Sequence, residues 1–510
     1  MIKRYFATKD NTITNAYEAD LVTRGTGSNM GQADILQVFT VYGQVSSSTS
    51  GLQRSAANIL LQFNTEQLAA DKTSGVISSG SAFYLKLFNC KHSQTLPRDF
   101  NLQILNLTAS WQEGLGLDME NYSDITYDVR GSNWIMRSGS TKWGNVEAAD
   151  IQGGVTGSTV YDASFPVGDE NLEVDVTTLV NEWIGGSLTN SGFLIRISSP
   201  EAEEDRSYYT KMFFGRASHN WFERPVLEAR WDSAKADDRG AFYLSSSLSP
   251  AVDNLNSIYL YNYVRGQLAD IPAIKPPKKI MVSLFSGSSK NTALSGSALK
   301  LTADGTYVTS DNQFVVTGGY VSKGIYSASF AYTGSSTIET IYDVWFSGSD
   351  DTIRDASGAG TQFSTGSVMI KRFSALQYSY TPKYVFAVSN RNQDYYYNQT
   401  HRIRLYAREK NWSPNIYNKA TTVPNSLVFA SASYQVHRAV DSKVVIPYNT
   451  GSNQATRLSY DVSGNYFDLD CTMLEPNYQY GIKFSVYDPD TLTYEEQPFI
   501  YNLRVVKNES

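Results

Sequence analysis

Histidines are the first residues to consult for acid–base or metal chemistry, and this chain has four, His92, His219, His401 and His437. None falls in an HxH, HExxH or HxxxH spacing that would bring two imidazoles onto one metal, so each reads as a polar residue of a loop or strand edge. The sequence contains no nucleophile elbow and no GxxxxGKS or GxxxxGKT phosphate loop. Its two cysteines, Cys90 and Cys471, are too few and too far apart for a disulfide framework or a Cys-rich zinc site. Carboxylates cluster in EAEEDR (201–206; Glu201, Glu203, Glu204, Asp205) and SDDTIRD (349–355; Asp350, Asp351, Asp355). Oxygen-rich loops can hold calcium, but neither matches an EF-hand register, and solvated acidic loops are the expectation. The pairs Asp468/Asp470 and Asp488/Asp490 follow strand alternation or turn chemistry. A glycosidase would need two carboxylates opposed across a cleft, a distance sequence does not give. The chain therefore reads as non-enzymatic, with no cofactor and no metal.

Aromatic and basic residues offer binding instead. Trp134, Trp143 and Trp221 sit in polar stretches, where an exposed indole can stack on the apolar face of a sugar, so they are the candidate glycan contacts. Packing over the ends of a sandwich is the alternative. The segments DYYYNQTHR (394–402) and KNWSPNIY (410–417) are dense in interface-type aromatics. Between them Arg402, Arg404 and Arg408 alternate with Ile403, Leu405 and Ala407, which predicts a basic outer strand face above a buried stripe. With Trp412 and Tyr417 these arginines form the candidate protein interface, suited to an acidic partner surface.

The elements that must carry these residues are strands. FYLKL (83–87), FLIRI (193–197) and IRLYA (403–407) alternate with period two and read as half-buried strands. AANILLQF (56–63), KYVFAV (383–388) and KVVIPY (443–448) lie between Gly, Ser, Asn and Pro clusters. Helical spacing is confined to two short segments. In 175–183, Asp175 precedes Val176, Leu179, Val180 and Trp183 on one face; in 64–70, Asn64 and Gln67 have the capping-box spacing. The fold class is all-β: an N-terminal jelly-roll or β-sandwich with short inserted helices, then two immunoglobulin-like β-sandwich domains. Six of eight tryptophans precede residue 232, and DSAKADDRGA (232–241) reads as a linker. The expected domains are 1–232, 233–373 and 374–510. Prolines in IPAIKPPKKI (271–280) predict an extended connection into an edge strand.

Of 510 residues, 43 Lys and Arg face 50 Asp and Glu, a net charge of −7 that disfavours a general nucleic-acid binder. No apolar run approaches the ~18 residues of a membrane span, and the opening MIKRYFATKDN lacks the apolar core of a signal peptide, so a soluble protein made in a cytoplasm is expected.

Several phrases of the first 232 residues are similar to the DNRLRE-type jelly-roll domain, a module of carbohydrate-binding and surface proteins. They are DNTITNAY (10–17), NMGQADILQVF (29–39), ANILLQFN (57–64), FYLKLFN (83–89), SWQEGLG (110–116), VTTLVNEWIGG (176–186), NSGFLIRI (190–197) and RPVLEARW (224–231). In that resemblance Trp183, Asn190, Gly192 and Phe193 have structural roles, with Gly192 supplying a positive φ or a close packing point. The whole chain also resembles virion structural proteins of T4-like marine tailed phages, through MIKRYFATKDNTITNAY (1–17), RPVLEARWD (224–232), NSIYLYNYVRGQL (256–268) and LSYDVSGNYFDLDCTMLEPNYQYGIKF (458–484). It implies a particle component assembled in the host cytoplasm, whose partners are other virion proteins and further copies in a symmetric assembly, with the C-terminal domain docking. The alternative is a glycan-binding adhesin or receptor-binding appendage; a polysaccharide-degrading enzyme ranks third.

Overall fold

The structure is a computed structural model. It describes residues 1–17, 22, 24–47, 51–91, 96–117, 131–139, 141–143, 155–204, 207–276, 278–287, 298–307, 313–334, 338–347, 361–371, 384–410, 426–488 and 491–507. About 50% of the chain is strand and 9% helix, which makes it the all-β protein the alternation requires. Among the described residues no helix is long and apolar enough to cross a membrane. The chain forms two compact units. The first comprises Met1–Asp232 with Gly451–Ala455 and Thr472–Glu475, and the second the remainder.

The first unit packs two antiparallel sheets. One orders Ile2–Phe6, Val226–Arg230, Ala82–Leu87 and Leu172–Asp175. The other orders Tyr208–Phe214, Ile35–Ser47, Gly51–Gln62, Phe193–Ile197, Phe100–Leu107 and Val155–Phe165, with Lys9–Thr14 also pairing on Gly51–Gln62. Alternation decides what lies between them. Phe83, Leu85 and Leu87 from one sheet meet Phe193, Ile195, Ile197, Ile59 and Leu61 from the other in a single core. Phe193–Ile197 is nevertheless not half-buried as expected. Leu194 on its other face is also buried, in a second cluster with Leu60, Leu105, Trp111, Trp134 and Trp143. Tryptophans from the connecting segments roof the outer face of this sheet, and strand periodicity alone carries no sign of such a roof.

Both helices form. Asn64 caps Thr65–Thr73, its side chain accepting from the amides of Glu66 and Gln67. The box is not closed in return, because Gln67 Nε2 donates to Asp71 Oδ1 at 3.0 Å. The second helix, Thr177–Gly185, is capped by Val176, while Asp175 Oδ1 still accepts the Thr177 amide at 2.9 Å. Its inward face places Leu179, Val180 and Trp183 in the core, with the Trp183 indole N–H on Asn106 Oδ1 at 3.1 Å. Asn190 Nδ2 donates to Phe63 O at 2.8 Å, and Gly192 has φ +99°. A Cβ on Gly192 would stand 2.1 Å from Leu61 O, so both roles expected of this glycine hold at once. Gly192→Ala is accordingly expected to destabilise the first unit by more than about 1 kcal/mol, read as a fall in the denaturant midpoint; an unchanged midpoint would contradict the packing described.

In the second unit a middle sheet orders Phe242–Tyr243, Thr361–Lys371, Thr340–Ser347, Ile280–Phe285, Val316–Ser322, Ile325–Tyr332 and Asn256–Tyr261. It curls around Trp345, Tyr326, Tyr332, Phe330 and Ile341. Ile280–Phe285 is buried throughout and pairs on both sides, so the edge strand expected after 271–280 is a central one. The prolines all precede the strand and remove no ladder donor from it. The C-terminal part is a two-sheet sandwich. Tyr384–Val388, Thr400–Glu409, Gly464–Asp470 and Ser459–Asp461 face Tyr395–Tyr396, Thr493–Val506, Gln479–Asp488, Ala432–Arg438 and Val444–Ile446. Rings bridge the two layers, Tyr434 on Phe467 at 4.2 Å and Phe386 on Phe484 at 6.4 Å.

Candidate functional site

Strand Thr400–Glu409 buries Ile403, Leu405 and Ala407 as its alternation predicts. Its other face is not a free basic surface. Arg402 forms a two-point ion pair with Asp468, at 2.8 and 3.0 Å, across the ladder, and Arg404 a second with Asp461, at 3.1 and 2.9 Å. Both guanidiniums lie over the Tyr466 ring, at 4.4 and 5.2 Å. The hydrogen bonds to Asp468 push Arg402 further up against the opposing effect of burial. Of the three arginines only Arg408, bonded to the Glu409 carbonyl at 3.4 Å, has no carboxylate partner among the described residues. Sequence spacing shows which face a side chain takes but not what a neighbouring strand sets opposite it. Trp412 and Tyr417 lie outside the described residues, as do Asp205 and the loop 349–355.

The same face reaches a polar clasp that the sequence had as a linker. Residues 233–241 are fastened to both parts of the second unit. Lys235 N donates to Ser459 Oγ at 3.1 Å and Asp237 N to Tyr460 O at 3.2 Å, with Ala236 bridged to Tyr460 in parallel. Asp238 then joins the two parts, accepting the Ser257 amide at 2.6 Å from the middle sheet and the Tyr460 hydroxyl at 2.8 Å from the C-terminal sandwich. Arg239 forks onto Asp343 with two 2.6 Å bonds and reaches Tyr259 O at 3.2 Å. Asp343 is fully buried and also accepts the Trp345 indole N–H at 2.7 Å. Burial opposes the charge on Arg239, and the bonds to Asp343 more than restore it. Burial pushes Asp237 up to about 7 despite Arg239 beside it. A segment rich in Asp, Lys and Ser resembles a solvated linker by composition, yet here those groups close hydrogen bonds with folded strands.

In the first unit the tryptophan candidates divide. Trp134 and Trp143 are 8% and 5% exposed, so they do not display a stacking face; their rings cover Leu60, Leu105 and Leu194. The Trp143 indole N–H is held by Asn133 O at 2.8 Å. Trp221, on a short turn, is half-buried, 4.9 Å from Phe6 and 5.0 Å from Phe222. Trp143 does border a concave surface of about 720 Å³ lined by Thr108, Ala109, Ser110, Arg137, Thr141 and Lys142. Sequence reading passed over it. The signal was the RSGSTKW stretch, whose sequence places Gly and Ser between two short segments, and Met136–Ser138 pairs with Thr141–Lys142.

The acidic run 201–204 is not a solvated loop throughout: Glu204 is exposed, but Glu201 is not. Ser199–Glu203 is a helical turn, and Glu201 is buried, its Oε1 accepting from the Asn101 amide and Nδ2, both at 3.0 Å. A carboxyl cluster that sequence separation concealed joins Asp10, Glu113 and Arg216. Asp10 Oδ2 accepts the Arg216 amide at 2.5 Å, and Glu113 Oε1 takes both the Asp10 amide, at 3.0 Å, and Arg216 Nη2, at 2.9 Å. Burial pushes Asp10 up to about 7; Arg216 pulls the other way, and Glu113 adds to the rise. His401 Nε2 accepts the Tyr396 amide at 3.1 Å, and burial lowers His437. His219 is exposed, and His92 lies outside the described residues. Among the described residues no three His, Cys, Asp or Glu side chains converge as a metal site.

No family model and no curated protein matches the chain. Among solved structures, fibronectin(III)-like modules of Clostridium thermocellum CbhA align over 54% of this chain and 92% of theirs, at 11% identity and a TM-score of 0.14. A Ca2+-stabilized adhesin that helps an Antarctic bacterium reach out and bind ice aligns over 98% of this chain and 100% of its own, at 8% identity and a TM-score of 0.15. Superpositions this loose carry no argument about what the chain binds.

Proposed function

We propose that this chain is a non-catalytic structural protein acting through protein–protein contacts, and that it is a component of a tailed-phage virion at the neck, tail, baseplate or capsid surface. The clasp at 235–239 supports the structural part most directly. It ties the middle sheet to the C-terminal sandwich through a guanidinium fork on the buried Asp343 and an aspartate bonded to both, an arrangement that resists bending and suits a spacer or attachment module. The virion assignment is supported by the whole-phrase resemblance to proteins of T4-like phages. Its partners are then other virion proteins and copies of itself in a symmetric array. Quantitative mass spectrometry of purified particles should find the polypeptide in a fixed copy number that fits the particle's symmetry. Absence from the particle would remove the assignment.

A second reading, a glycan-binding appendage, is favoured by the concave surface beside Trp143, where hydroxyl side chains and cations line one cleft. A saturable change in tryptophan fluorescence on adding a sugar is its expected sign.

A further inference from the structure

We infer that the concave surface formed by residues 108–110 and the paired strands Met136–Ser138 and Thr141–Lys142 binds a short oligosaccharide carrying an oxyanion, a uronate carboxylate or a sulfate ester. The inference rests on the glycan-binding reading and narrows it to acidic sugars.

Two cations that share one concave surface carry the argument, since arginines with only neutral partners, such as Arg196, Arg224 and Arg408, occur elsewhere in the protein. Arg239 is forked onto Asp343, Arg402 onto Asp468, Arg404 onto Asp461, and Arg230 is bonded to Glu228 and Glu173. Arg137 has only neutral partners: its Nη1 donates to Ser110 O at 2.8 Å and to Ser110 Oγ at 3.2 Å. Those bonds anchor the guanidinium by one nitrogen, and among the described residues Nε and Nη2 have no partner. Lys142 lines the same cleft and forms no ion pair among the described residues. Two cations without a carboxylate partner among the described residues, on one concave surface of a chain of net charge −7, suit an external anion.

Size and lining determine what kind of anion. At about 720 Å³ the surface is broad and open, more than a lone ion fills, so a short sugar chain would lie across it and not be enclosed. Thr108, Ser110 and Thr141 add hydroxyls that can both donate to and accept from sugar hydroxyls. The wall is already fixed: the Trp143 amide bonds Ile135 O at 3.2 Å and its indole bonds Asn133 O at 2.8 Å, so little ordering remains for binding. A nucleic acid fits less well, since two cations neutralise few phosphates while the remaining charge repels a polyanion.

The test is titration of the full-length protein, by calorimetry and tryptophan fluorescence, with trigalacturonate, neutral galactotriose, inorganic sulfate and a short single-stranded DNA. Trigalacturonate should bind at least about tenfold more tightly than galactotriose. Arg137→Gln and Lys142→Gln should each weaken it about tenfold, the loss of one charge-assisted contact. Arg408→Gln, in the second unit, should leave binding unchanged, and Trp143→Phe should remove the fluorescence response. Equal affinity for the neutral sugar would overturn the acidic-sugar inference and leave the glycan reading standing. No binding of either sugar would overturn both. Binding that survives the double variant, or sulfate or DNA binding as tightly as the sugar acid, would also overturn the inference.

Discussion

Arg239→Ala is expected to destabilise the second unit by about 3–5 kcal/mol, because it leaves a buried carboxylate without its counter-ion. Asp343 is fully buried, and both of its oxygens are bonded to the Arg239 fork at 2.6 Å. Only the Trp345 indole remains as a donor once the guanidinium is gone. The loss should appear in chemical denaturation as an earlier transition of the second unit. The double change Arg239→Met with Asp343→Leu should recover much of it, since an apolar pair of similar volume removes the orphaned charge. The clasp has no such role if Arg239→Ala shifts stability by less than about 1 kcal/mol.

A second large effect is in pH. The Asp10 carboxyl sits at about 7 in the fold, against an ordinary value of 3.8. A raised carboxyl pKa means that the folded state holds a proton the unfolded chain has released, so stability declines as pH rises from about 4 through 7 and levels off above. Between pH 5 and 8 this amounts to about 2–3 kcal/mol for one such group. Asp10→Asn should remove that slope from the first unit, with little change at pH 5 and a gain at pH 8. Asp237, also held at about 7, should give the second unit a slope of the same sign. Glu228 works in the opposite direction and in another window. Burial would raise it, but Arg4, Lys86 and Arg230 hold it down at about 2, so its contribution is lost only as pH falls from about 4.5 toward 2. A stability profile that is flat between pH 5 and 8 in both parent and Asp10→Asn would contradict the placement of the Asp10 proton.

The division between what sequence revealed and what it withheld follows from the range of the interactions. Alternation in 83–87 and 403–407 and the spacing of Leu179, Val180 and Trp183 are local signals, and each places its side chains inward as expected. The roles of Arg402, Arg404, Asp10 and residues 235–239 depend on partners far along the chain, which no local window contains. For Trp134 and Trp143 the sequence offered both glycan contact and packing over a sandwich end, and the second is what the structure has; a polar neighbourhood in sequence does not decide between them because it says nothing of a sheet lying underneath. The concave surface beside Trp143 was half accessible, since Gly and Ser lie between its two paired strands in the sequence, but its meeting with residues 108–110 is a tertiary fact.

The pairing of Ile2–Phe6 with Val226–Arg230 has a consequence for synthesis. The smaller sheet of the first unit has Val226–Arg230 between the chain's opening strand and Ala82–Leu87, so this layer stays open until residue 230 has cleared the ribosome. Until then Ile2–Phe6 and one edge of Ala82–Leu87 lack their partner strand, and the yield in the cell should depend on elongation rate and on chaperones that shield such edges.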